Sequence, residues 1–279
     1  MAVNDKPAHA TGYDPRRTEL SRRACLEVAT RLNDFKDDLC VVGGLVPSLL
    51  ADMTNLPAGV EPHVGTNDLD LGLSVAILDE RRYEEIAKRL REAGFKRDTN
   101  DSGRPTSQRW DFGQGALVDF LIPPSTDLDK GGNLRNLEGD LAAVITPGLH
   151  LAFRDREEIT LDGDTLTGGT ARRVINVCGP GAFVVLKSLA FKSRAENKDA
   201  YDLWYVIQTR TDCASRFRAL RGDVKAEEAL QILQQDFTDA GRIGPRRVAE
   251  FLFGGSDENL QADVAGLVRG LIAEVLRPS

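Results

Sequence analysis

The stretch Gly65-Thr-Asn-Asp-Leu-Asp-Leu71 constrains the fold of this 279-residue chain more than any other. On a strand, alternate side chains share a face, so Asp68 and Asp70 point one way while Leu69 and Leu71 point into a core. Two neighbouring carboxylates repel each other unless a cation lies between them. Oxygen-only ligands with a high charge requirement favour magnesium or manganese. A third carboxylate has two candidates. Asp119 sits in the apolar run Leu-Val-Asp-Phe-Leu, where a lone buried charge is costly unless something pairs with it. Asp111, flanked by Trp110 and Phe112, competes for the same role.

Upstream, the apolar run Leu39-Cys-Val-Val42 ends in Gly43-Gly44, and helical spacing resumes over residues 45–53. Glycines at such a junction let the backbone approach a phosphate closely. The free N–H groups of a following helix N-terminus would face it. Taken singly, a Gly-Gly pair is an ordinary turn and Asp-x-Asp a solvated strand face. Their succession, strand, glycine turn, helix and then acidic strand, is what points to phosphate and metal chemistry.

The remaining pattern gives an α/β (α+β) front and a helical back. A helix is expected over residues 18–35 with Thr18 as cap, a loop over 55–67, a strand over 69–75, and a helix from a cap at Asp79 to residue 93. A hairpin is expected across Gly113-Gln114-Gly115, then a loop over 123–136 and an antiparallel pair, 157–162 with 171–177. Helical periodicity marks residues 183–194, 197–208, 224–237, 245–253 and 259–276. The expected organisation is a disordered leader over 1–15, a core domain over 16–179 and a helical domain over 180–279.

No apolar run approaches the roughly 20 residues of a membrane span, and residues 1–15 lack the apolar centre of a signal peptide, so a cytoplasmic location is expected. The net charge of −7 excludes a protein that coats nucleic acid non-specifically, although residues 181–250 carry a local excess of Lys and Arg. The four cysteines have no zinc-like spacing, and three of them, in apolar stretches, are expected to pack as small hydrophobes. None of the three histidines neighbours a second metal-type ligand, so no zinc site is expected.

The helical back opens with Lys187, Lys192 and Arg194 interrupting an apolar stretch, followed by Asn197-Lys-Asp-Ala-Tyr-Asp-Leu-Trp204. Asp199 and Asp202 share one helix face. A cation here would offset charge building on a leaving pyrophosphate. An i,i+4 salt bridge between Lys198 and Asp202 is the competing reading.

Together these residues resemble the polymerase-β-like nucleotidyltransferases, specifically the AbiEii/MenT-like toxin branch. The superfamily pattern matches Val42-Gly43-Gly44, Asp68-Leu69-Asp70 and, as a later single acid, Asp119. The branch adds a Thr or Ser two residues before the first acid, here Thr66, and a Lys-x6-Arg-x4-Asp-x2-Asp helix pair, here Lys187, Arg194, Asp199 and Asp202. The likeness spans roughly residues 38–208. It departs in a long insert, residues 55–65, and in Gly65, where many members carry Arg before the Thr.

The resemblance implies a small mixed sheet of nucleotidyltransferase type with flanking helices, and a Mg2+ (or Mn2+) dependent enzyme. Gly43, Gly44, Thr66, Lys187, Arg194 and Asp199 would bind a nucleoside triphosphate. Asp68, Asp70 and Asp119 would hold metal. Lys187 would neutralise phosphates, and Asp119 or Asp202 would orient or deprotonate an acceptor hydroxyl. It also implies a toxin that modifies tRNA 3′ ends, with a cognate antitoxin as partner. The alternatives are a transferase acting on a small molecule or a protein hydroxyl, and a catalytically idle nucleotide-binding module.

Overall fold

Strand β2 (Asp68–Leu73) lies at the middle of the sheet, where its leucines are most fully covered: Leu69 and Leu73 are wholly buried. In the computed structural model, which describes residues 7–54, 56–74, 80–99, 105–126, 128–138 and 141–277, β2 runs antiparallel to β1 (Leu39–Val42) and parallel to β5 (Leu117–Ile122). The other strands are β3 (Lys96–Thr99), β4 (Pro105–Asp111), β6 (Leu134–Glu138), β7 (Leu141–Ile145), β8 (Arg156–Asp164) and β9 (Thr170–Cys178). The strand order is β3-β4-β5-β2-β1-β9-β8, with β7 pairing parallel to β5 and β6 pairing antiparallel to β7. The fold is mixed α/β, a mixed sheet with flanking helices followed by a helical C-terminal portion.

The chain forms two compact units. The first holds Asp14–Leu45 and Gly65–Cys178, hence the whole sheet with α1 (Pro15–Arg31), α3 (Glu80–Glu92) and α4 (His150–Arg154). The second holds residues 7–13, Val46–Val64 and 179–277. It contains α2 (Val46–Leu50), α5 (Pro180–Arg194), α6 (Asn197–Thr209), α7 (Cys213–Arg218), α8 (Val224–Asp236), α9 (Ile243–Phe253) and α10 (Glu258–Leu276). In it α5 packs on α6, α7 and α8, and α10 packs on α7 and α9. Among the described residues no helix is long and apolar enough to cross a membrane. All four cysteines are buried, and none of them forms a disulfide.

Several local expectations shift. Helix α1 begins three residues before Thr18, because Asp14 caps it by accepting from the Arg16 amide and Pro15 occupies the first turn, where its missing N–H costs nothing. It ends at Arg31, and Asn33–Asp38 tightens into a 3-10 helix. The helix expected over 45–53 is a 3-10 turn, Gly43–Leu45, followed by the five-residue α2. The loop expected over 123–136 ends as β6, which with β7 extends the sheet beyond β5. The expected cap Asp79 and strand end Val75 lie outside the described residues.

Where a leader without order is expected up to residue 15, residues 7–13 have defined partners within the second unit. Ala10–Gly12 forms a 3-10 turn, the Tyr13 ring meets Phe251 edge-on at 5.8 Å, and the Ala8 carbonyl accepts from the Asn197 amide nitrogen.

Truncating Leu69 empties the layer beneath the acidic strand. Leu69→Ala is expected to lower the unfolding free energy by about 2–5 kcal/mol, measured by urea denaturation.

Candidate active site

Register brings the acids together. Asp70 is the Cα partner of Val42 on β1 and of Asp119 on β5, and Asp68 stands two residues earlier on the same face. One carboxylate oxygen from each of Asp68, Asp70 and Asp119 lies within 4.8 Å of the other two. The same geometry separates the two candidates for the third acid. Asp111 turns its carboxylate into the β4–β5 hairpin, where it accepts from the Gly113 amide at 2.7 Å, while Asp119 joins the other two.

The glycine turn is fitted against these acids. Gly43 has φ +70°, and a Cβ placed on it would lie 1.8 Å from Asp70 Oδ2. A Cβ on Gly44 would lie 2.6 Å from Thr66 Oγ1. So Gly43 is required by the carboxylate face itself and Gly44 by the Thr66 side chain beside it, as well as both being suited to a phosphate. The Thr66 hydroxyl donates to Asp68 Oδ1 at 3.0 Å and fixes its orientation. The backbone of Thr66 is itself held by Thr18, whose hydroxyl accepts from the Thr66 amide at 2.9 Å and lies 3.2 Å from its carbonyl. Thr18 thus orders the approach to the acidic strand instead of capping α1.

Arg109, absent from the sequence reading, completes this group. It stands opposite Asp119 across β4 and β5 and grips that carboxylate with Nε and a terminal nitrogen, the Nε contact at 2.8 Å. The same terminal nitrogen is 3.5 Å from Asp68 Oδ2. The signal was countable: stepping outward from the Gly113-Gln114-Gly115 turn pairs Asp111 with Leu117 and Arg109 with Asp119. Three carboxylate oxygens without nitrogen or sulfur form the donor set of a hard divalent ion, so the residues fit the metal expected of such a site.

The second unit holds the other predicted residues. Lys187 on α5 places Nζ 3.0 Å from Asp199 Oδ1 and 2.8 Å from Asp202 Oδ2, both on α6. Arg194, in the last turn of α5, donates to Asp199 from Nε at 2.6 Å and from a terminal nitrogen at 2.8 Å. Lys198 also bonds Asp202, so the i,i+4 salt bridge and the Lys187 pair coexist on one carboxylate. The αL residue Ala195, φ 51°, ends α5 and lets α6 turn back so that these groups meet. Burial works against the charge on all three central groups and is outweighed. The charges of Asp202 and Asp199 raise the Lys187 ammonium, those of Lys187 and Arg194 bring the Asp199 carboxyl down to about 2, and Lys187 and Lys198 hold Asp202 well below the usual carboxylate range.

His63 is the second residue missed. Its side chain is fully buried, stacked on Tyr201 with ring centroids 5.1 Å apart and edge-on to Tyr205 at 4.9 Å. Its Nε2 lies 2.8 Å from Asp202 Oδ1. An ionised carboxylate only accepts, so Nε2 carries the proton and donates. No local pattern joins positions 139 residues apart, and His63 lies in the long insert. Burial, helped by the nearby Lys198 charge, pushes the imidazole down to about 4.

Two outcomes follow from this geometry. Gly43→Ala forces a methyl into Asp70 at a positive φ, and is expected to lower stability by about 1–3 kcal/mol, read by thermal melting. For His63, the unfolded chain takes up a proton near pH 6.5 and the folded one near pH 4. Its contribution is therefore complete above pH 6.5 and is lost as pH falls through that window, on the order of 3 kcal/mol. Unfolding free energies measured from pH 7 to pH 4 should show this decline in the native protein and lack that component in His63→Gln.

A nucleotidyltransferase family model matches residues 23–206. No curated protein matches the chain. The matched span is more than half of the chain and includes the glycine turn, the three converging acids and the Lys187 cluster. The chain therefore belongs to the nucleotidyltransferase family.

Proposed function

We propose that this chain moves a nucleotide from a nucleoside triphosphate to an acceptor hydroxyl with release of pyrophosphate, a reaction of EC 2.7.7 type, as a toxin of the AbiEii/MenT-like branch acting on the tRNA 3′ end. The observation that carries the chemistry is the convergence of Asp68, Asp70 and Asp119 beside a glycine turn with no room for a side chain. The acceptor and the toxin role rest on the sequence likeness, which also implies a cognate antitoxin. Exposed Arg242 and Arg246 on or next to α9 offer contacts for an RNA backbone.

Asp68, Asp70 and Asp119 would hold the divalent ion, proposed as Mg2+ or Mn2+, which when bound polarises the phosphate under attack and its hydroxyl nucleophile. The Thr66 hydroxyl, which donates to Asp68 Oδ1, would hold that carboxylate in place for the ion. Gly43 and Gly44 leave main chain exposed to phosphate oxygens. Lys187, supported by Arg194, balances charge on the departing pyrophosphate, in competition with Asp199 and Asp202 for its ammonium. Asp202 is a weak base, since Lys187 and Lys198 hold it ionised. Its proposed part is to position Lys187. Asp119, paired with Arg109 and proposed to share the ion, is a weak base for the same reason, so its proposed part is to orient the acceptor hydroxyl, whose proton passes to water. The organisation proposed is a catalytic core within residues 16–179, apart from the segment 46–64 that belongs to the second unit, and a helical domain over 180–279 that carries Lys187 and Asp202.

The test is incorporation of labelled nucleoside triphosphate into purified tRNA, into small acceptors and into the protein itself, with Mg2+ or Mn2+. Label at the tRNA 3′ end, lost by about 1,000-fold or more in Asp68→Ala, is the expected result. Label only in small acceptors or in the protein would move the activity to those hydroxyls. Label in nothing, with nucleotide bound, would make the chain an idle module, and transfer that persists in Asp68→Ala would remove the metal assignment.

A further inference from the structure

Three carboxylates within 4.8 Å of one another repel strongly in a largely buried sheet. The described structure offsets this charge from inside. Arg109 projects from the neighbouring strand, engages both oxygens of Asp119 and reaches within 3.5 Å of Asp68 Oδ2. Its side chain and that of Asp119 are each 14% exposed, so water screens the pair weakly. A planar guanidinium suits this double engagement, and it stays charged at any physiological pH.

We propose that Arg109 is a built-in counter-ion that competes with the divalent ion for the acidic cluster, so that the ion binds weakly until nucleotide phosphates bring further negative charge. The proposal rests on reading Asp68, Asp70 and Asp119 as the metal-holding group. A guanidinium bonded to one carboxylate and adjacent to a second repels a dication arriving at the same oxygens. Once triphosphate oxygens share the ion, that repulsion is offset, and Arg109 ties ion loading to the presence of substrate. The arrangement also stabilises the ion-free fold, because removing the guanidinium leaves buried acids without that charge.

Mn2+ binding to the full chain without nucleotide tests this, measured by titration calorimetry and by the signal of free Mn2+ in electron paramagnetic resonance. Arg109→Gln is expected to bind Mn2+ at least tenfold more tightly than the native protein. It should also melt at a lower temperature without ion and gain more from added Mn2+. Arg109→Lys, which keeps the charge, should stay close to the native affinity. Unchanged or weaker Mn2+ binding in Arg109→Gln, or a tenfold tightening in Arg109→Lys, overturns the proposal. If Arg109→Gln folds only with Mn2+, the ion has taken over the missing charge, as expected; if Mn2+ does not restore it, the proposal fails. Asp70→Asn separates the two readings. It should abolish Mn2+ binding in both backgrounds, and binding that survives it overturns the metal site itself.

Discussion

Everything at this site depends on the cost of gathering negative charge on a buried sheet. Asp70 and Asp119 face each other across paired strands and Asp68 stands beside them, an arrangement that apolar packing alone would disfavour. The neighbouring elements answer that cost. Arg109 brings positive charge, the Thr66 hydroxyl donates to Asp68, and Gly43 withdraws its side chain so that Asp70 has space. A hard divalent ion would complete the balance, and the same repulsion that makes the cluster costly would favour its binding.

The second unit solves a similar problem by internal pairing. Lys187 lies between Asp199 and Asp202, Arg194 covers the outer side of Asp199, and Lys198 with His63 hold Asp202. Such a network is rigid because each group satisfies its neighbour in a weakly screened interior. His63 contributes as a neutral donor packed between two tyrosines, so it adds orientation without adding charge.

The legible parts of the molecule were those with short-range causes. The antiparallel pair β8–β9, the β4–β5 hairpin and the long helices α5, α6, α8, α9 and α10 follow from alternation, turn glycines and helical periodicity. Asp68 and Asp70 share a face for the same local reason. The start of α1 was readable too, in Asp14-Pro15, but Thr18 drew the assignment because it resembles a cap; its hydroxyl is taken by Thr66 instead. Strands β6 and β7 were harder, since a five-residue apolar run is stabilised by its partner strand and not by its own pattern.

By itself the sequence determined the order of the longer elements, though not β3, β6, β7, α4 or α7, together with the common face of Asp68 and Asp70, the glycine turn ahead of them and the spacing that sets Lys187, Arg194, Asp199 and Asp202 on two successive helices. Those are properties of residues a few positions apart, set by the periods of strand and helix. Tertiary structure decided that Asp119 and not Asp111 stands with Asp68 and Asp70, that Arg109 reaches the same acids, and that His63 reaches Asp202. Each depends on strand register or on contact between distant segments, and these are settled by packing of the whole unit, where a one-residue slip would turn Asp119 and Arg109 to the opposite face.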